Sequence, residues 1–248
     1  MTKRGSLVVA RLVWLALVIS MLIPALTRAN DLADFNTAVA EAYRHYRAAS
    51  FYFRTKNSGV AAFELKRMQM KWHTIMGRFA ASPPDAFSAD PRWSVSLAEI
   101  SNTINKALAA ANSGDVATGN SALAEIQQAL SALRKRNSVR VFADSVDDLN
   151  AAVAALSYYV QHPPNFDATE ERNEMKGAAA VVAYLARKCR DEAPPAYRTN
   201  EDFARLIGEM LEALEQMTQA VDRKDQKAAI GYIRVIRSYN GMLSLRFG

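Results

Sequence analysis

The chain has 248 residues, half of them hydrophobic, which is enough for one large domain or two small ones. Ten Gly and eight Pro are too few for a collagen-like or low-complexity chain, and one cysteine excludes a disulfide framework. The formal charge of +6 (31 basic, 25 acidic residues) is concentrated at the N-terminus, so it argues little for nucleic acid as a partner.

Residues 1–29 have the pattern of a signal peptide. Lys3, Arg4 and Arg11 form a basic start, and Leu12 to Ile23 is an uncharged apolar run of twelve residues. Pro24 breaks the run, and Thr27-Arg28-Ala29 puts small residues at the two positions a signal peptidase reads. Cleavage is expected after Ala29, because twelve residues are short of the roughly 20 needed to span a bilayer. The alternative is an uncleaved N-terminal anchor extended by Leu7 to Ala10, the one expected route to a membrane. Cleavage removes four basic residues and no acidic one, leaving 27 against 25 and a net charge of +2. The expected address is the periplasm.

Asn30-Asp31 can cap a first helix that runs to about Lys56 with Phe35, Val39, Ala42 and Tyr46 on its stripe. Asn57-Ser58-Gly59 is expected to end it, with Gly as the residue for positive φ. The second helix runs to about Phe79 along Leu65, Met68, Trp72, Ile75 and Phe79. A loop with Pro83, Pro84 and Pro91 leads to a third helix with Trp93, Leu97, Ile100, Ile104, Ala107 and Ala111 on one face. Gly114-Asp115 turns into a fourth helix ending near Asn137. Ser138 to Asp148 passes directly into a fifth, which ends at His162-Pro163-Pro164. Asp167 with Glu170 has capping-box spacing for a sixth helix running to about Glu192. Asn200 can cap the seventh and Asp225 the eighth. No alternating strand pattern with hairpin signals is present. The prediction is an all-α chain, with two tandem antiparallel four-helix bundle units at 30–138 and 139–248 after the signal peptide.

The two units look like copies. Adding 110 to the third-helix stripe gives Phe203, Ile207, Met210, Leu214, Met217 and Val221. The second-helix stripe maps to Met175, Ala178, Val182, Leu185 and Cys189. Leu123, Ile126, Leu133 and Arg136 map to Ile233, Ile236, Leu243 and Arg246. The turns at Asp115 and Asp225 fall in step, and the Pro-Pro pairs, Pro83-Pro84 and Pro194-Pro195, do so with a shift of one residue. Since 110 is not a multiple of seven, a continuous heptad pattern does not by itself produce this phase. The competing explanation is two similar bundles without common descent, because few aligned residues are identical.

Chemistry is thinly advertised. The histidines are His45, His73 and His162, and Glu41 with His45 is the one acid–His pair at i, i+4. Paired Glu-x-x-His motifs, His-Glu-x-x-His, Ser-x-x-Lys, Gly-x-Ser-x-Gly and Gly-rich phosphate loops are all missing. Cys189 lies on an apolar stripe, as a buried small hydrophobe would. Met68, Met210 and Met217 read as core filler, though Met68, Met70, Met76, Met210, Met217 and Met242 with His73 also admit a Met/His haem site. Arg134-Lys135-Arg136 ends a helix, where cations suit the dipole, and Arg136 and Arg246 are expected to form equivalent salt bridges. No catalytic, cofactor-binding or metal site is assigned, no cofactor is expected, and the chain is not expected to be an enzyme.

An exported four-helix unit of about 110 residues with a Pro-bearing central loop resembles the cytochrome c′ family. The resemblance implies a periplasmic bundle of similar shape. That family attaches haem through Cys-x-x-Cys-His in its last helix, but Val116 to Asn137 and Gln226 to Phe247 contain no cysteine, so no haem ligand carries over. The expected function is an exported binding or scaffold protein with a protein or small-molecule partner. The alternative is a haem- or metal-binding electron-transfer protein of cytochrome c′ type.

Overall fold

A computed structural model describes residues 31–248. The expected signal peptide, its cleavage site and Asn30 lie outside the described residues. Every regular element among the described residues is helical, so the fold is all-α, and none of these helices is long and apolar enough to cross a membrane. The chain divides into two compact units, one ending at Val139 and the other running from Arg140 to Gly248.

The first unit contains α1 (residues 31–54), α2 (Ser58–Phe79), α3 (Trp93–Ser113) and α4 (Val116–Arg136), with a single 3₁₀ turn at Asp85–Phe87. The α1–α2 reversal differs from expectation. Positive φ (58°) falls on Lys56, not Gly59, and Asn57 is the N-cap of α2, accepting from Val60 N. Ser58 and Gly59 therefore begin α2. At the α3–α4 turn, Gly114 takes φ 76° as the helix terminator, and Asp115 caps α4 by accepting from Thr118 N at 3.0 Å.

Burying the stripes of α1–α4 against one another makes a single core from Phe35 to Leu133. Each fully buried aliphatic side chain in it contributes roughly 1.5–3 kcal/mol. Both core tryptophans satisfy their N–H groups. Trp72 Nε1 donates to Leu97 O at 3.2 Å, and Trp93 Nε1 donates to Phe79 O at 2.8 Å, one of the carbonyls a helix end leaves without a partner. Phe35, Phe79, Phe87 and Trp93 close one end as a ring cluster with centroids 4.8–5.4 Å apart. Gly119 is required where α1 crosses α4. A Cβ there would stand 2.3–2.8 Å from the Phe53 ring, which is itself fully buried.

The second unit contains α5 (Phe142–Ser157), α6 (Thr169–Glu192), α7 (Pro195–Arg198), α8 (Glu201–Asp222) and α9 (Gln226–Phe247), with a 3₁₀ turn at Tyr158–Val160. Helix α5 packs on α6 and α9, and α8 packs on α6 and α9. The α3 stripe and its α8 counterpart are both buried along their whole length. The α6 stripe is rotated from the predicted one: Met175, Ala179, Val182, Ala186 and Cys189 are buried, while Ala178 and Leu185 are half-buried. Nor does Asp167 cap α6. The helix starts at Thr169 with Ala168 as its N-cap residue, and the Asp167 carboxylate accepts from Lys224 Nζ at 2.9 Å. A polar step in the α5–α9 seam is Asn150 Oδ1, which accepts from Asn240 Nδ2 at 2.8 Å and Ser244 Oγ at 2.6 Å.

Turn hydrogen bonds recur 110 positions apart. Phe87 N donates to Pro84 O and Tyr197 N to Pro194 O, both at 2.8 Å. Asp115 N donates to Ala110 O at 2.9 Å and Asp225 N to Ala220 O at 2.8 Å. Lys224, with φ 59°, stands where Gly114 stands in the first unit.

Candidate functional site

The groups that chemistry would need are dispersed or tied up. His45 does not pair with Glu41. Its Nδ1 lies 2.6 Å from Glu64 Oε2 on α2, while Glu41 accepts from Lys71 Nζ at 2.7 Å. His73 is exposed on α2, and His162 is exposed and stacked on Tyr158. Among the described residues no three His, Cys, Asp or Glu side chains come together as metal ligands. Met68, Met210 and Met217 are buried in the cores, whereas Met70 and Met242 are exposed. Cys189 is fully buried, and burial pushes its thiol up to about 12, which keeps it protonated and a poor nucleophile.

The arginines expected to match do not. Arg136 donates from Nε and Nη2 to Asp90, at 3.1 Å and 2.8 Å to Oδ2, and also reaches Ser96 Oγ. Asn137 Nδ2 and Arg92 N donate to the same carboxylate at 2.7 Å and 2.9 Å. The Asp90 side chain is 1% exposed, and the hydrogen bond from Arg136 is the main reason its carboxyl is lowered to about 2. Arg246 instead meets Asp202 at the surface, with both side chains half exposed.

A small polar pocket of about 270 Å³ is lined by Arg140, Val141, Phe142, Ser145 and Glu192. Ser145 Oγ donates to Glu192 Oε2 at 2.5 Å, and Arg140 Nη2 donates to Ser145 Oγ at 3.2 Å and to Asp148 Oδ2 at 2.7 Å. This is no nucleophile–base pair. The hydrogen bond from Lys188, then that from Ser145, holds the Glu192 carboxyl below its ordinary value, so it is a weak proton acceptor near neutrality.

The larger concavity lies beside it, in the second unit. Its origin is local. Ala193 precedes Pro194 and is pushed out of the α region (ψ 140°), which stops α6 at Glu192. Pro195 then starts the four-residue α7, and Asn200 caps α8 by accepting from Phe203 N at 3.1 Å. Between the last turn of α6, α7 and the first three turns of α8 there remains a cleft of about 490 Å³. Its floor is Phe203 and Ile207, both buried, with half-buried Leu211. Phe203 is fixed from behind by Phe142, Tyr197 and Phe247, with centroids 5.2–6.2 Å away. The room exists because Ala204 and Gly208 carry little or no side chain, and a Cβ on Gly208 would meet nothing within 4 Å. Arg190, Asp191 and Arg198 form the rim. Arg190 Nε donates to Asp191 at 3.1 Å, whereas Arg198 makes no ion pair among the described residues. No motif marks this cleft in the sequence, because it is defined by missing side chains.

The chain matches no protein-family model, no curated protein and no solved structure.

Proposed function

We propose that the chain is an exported, non-catalytic binding protein made of two tandem antiparallel four-helix units that arose by duplication, and that its second unit binds a small molecule. The cleft over Phe203, Ile207 and Leu211 carries this reading. Its volume falls in the roughly 300–1,000 Å³ range of small-molecule sites, and it joins an apolar floor to a few polar groups at one edge. The ionisable groups that line it are Arg190, Asp191 and Arg198, two guanidiniums and one carboxylate that pairs with Arg190, which suits holding a ligand. Turn hydrogen bonds at a constant spacing support the duplication, as do the closed circuit of contacts α5–α6–α8–α9 and the four-helix core of the first unit. Export rests on residues 1–29. A mature N-terminus at Asn30 by mass spectrometry supports it, and a retained Met1 overturns cleavage.

The binding reading is tested by thermal shift of the purified protein against organic anions, amines and neutral amphiphiles. The wild type should gain melting temperature with at least one class, and Gly208→Leu, which fills the cleft, should not. No shift with any class, or equal shifts in both proteins, refutes it.

A further inference from the structure

The cleft has a polarity that narrows its ligand. Its apolar floor runs along α8 at Phe203, Ile207 and Leu211, successive positions of one helix face. The charged groups all stand at the edge formed by the α6 C-terminus and α7, where Arg190 and Arg198 face a single acid, Asp191. Asp191 engages Arg190, so the guanidinium available to a ligand is that of Arg198. A guanidinium offers parallel N–H donors that match the two oxygens of a carboxylate, and such a charge-assisted pair is stronger than a neutral hydrogen bond. A cation would meet the uncompensated charge of Arg198, and a wholly apolar ligand would leave the guanidinium edge unused.

Resting on the reading of the cleft as a binding site, we propose that it takes a medium-chain monocarboxylate, with the alkyl chain over Phe203, Ile207 and Leu211 and the carboxylate at Arg198. Gly208 lies in the lining between Ile207 and Leu211, so a leucine at this open position adds bulk to the wall of the cleft.

The test is isothermal titration of the full chain with decanoate, decanol and decylamine, each below its aggregation concentration. Four proteins are compared: wild type, Gly208→Leu, Arg198→Gln, and Lys66→Gln as a control on α2 in the first unit. Decanoate should bind the wild type and the control equally. Gly208→Leu should lose at least tenfold with every ligand that binds. Arg198→Gln should weaken decanoate about tenfold while leaving decanol unchanged, since a charge-assisted pair is absent from the alcohol complex. If decanol or decylamine binds as tightly as decanoate, or Arg198→Gln treats acid and alcohol alike, the ligand class is overturned while the cleft stands. Binding of an acidic amphipathic peptide without decanoate binding has the same consequence. If decanoate binding is indifferent to Gly208→Leu, both the ligand class and the site are wrong.

Discussion

Replacing Asp90 by Asn should destabilise the first unit by about 2–3 kcal/mol at pH 7. The carboxylate accepts from Arg136 twice, from Asn137 and from the Arg92 backbone, with its side chain 1% exposed. An Asn side chain keeps the shape but turns an N–H₂ towards donors. Breaking a fully buried ion pair costs about 3–5 kcal/mol, and the figure is smaller here because Arg136 is 35% exposed and regains water. Titration gives the same scale. The carboxyl sits at about 2 in the folded chain against 3.8 ordinarily, and a difference of nearly two units corresponds to about 2 kcal/mol. Because the folded value is the lower one, this stability is complete about a unit or more above 3.8, begins to fall near pH 5 and is lost as pH falls through 3.8 towards 2. Urea unfolding followed by tryptophan fluorescence isolates the effect, because Trp72 and Trp93 both lie in the first unit's core. The gap between wild type and Asp90→Asn should narrow steadily from pH 5 to pH 2.5. A loss below about 0.5 kcal/mol at pH 7, or one that does not change with pH, refutes the clamp. Arg246→Ala, whose partner is a half-exposed surface acid, should leave the melting temperature nearly unchanged.

Two further substitutions probe the cores. Gly119→Ala should cost about 1–3 kcal/mol through collision with the Phe53 ring, reversing the gain of about 1 kcal/mol that the same change brings in an open helix. Thermal unfolding decides it, and a rise in melting temperature would contradict the close approach of α1 and α4. Cys189 should resist iodoacetamide in the folded protein at pH 8 and react fully in urea; intact-mass analysis showing rapid native labelling would mean that the thiol is exposed.

The fold was legible where hydropathy and turn chemistry agreed. Trp93 through Ala111 and Phe203 through Val221 each carry a continuous apolar stripe that is buried along its length, and Asp115, Asn200 and Asp225 each cap the helix they precede. Helix α6 was misjudged in rotation because Gly177, Ala178, Ala179 and Ala180 are small on every face, so packing against neighbours chose the buried line. Asp167 was drawn away by Lys224, a partner 57 positions distant that local spacing does not reveal. The Asp90 clamp was invisible for a related reason: an acid between Ala89 and Pro91 looks like ordinary loop until α4 brings Arg136 to it. The cleft was hidden because a sequence pattern registers side chains, whereas Gly208 and Ala204 matter for what they lack.

The amide and hydroxyl contacts joining Asn150 to Asn240 and Ser244 act as a notch between two otherwise slippery surfaces. Aliphatic side chains pack almost equally well if one helix slides a turn along its neighbour, but these three groups can meet in only one alignment. Displaced, Asn150 and Asn240 would lose the side-chain partners they share across the seam, while Ser244 would keep its bond to Asn240 O within α9. Asn240 already leaves one oxygen unmatched, and Leu130, 110 positions earlier, shows that grease is tolerated at such a place. The second unit thereby gives up some cohesion to keep α5 and α9 in a single alignment.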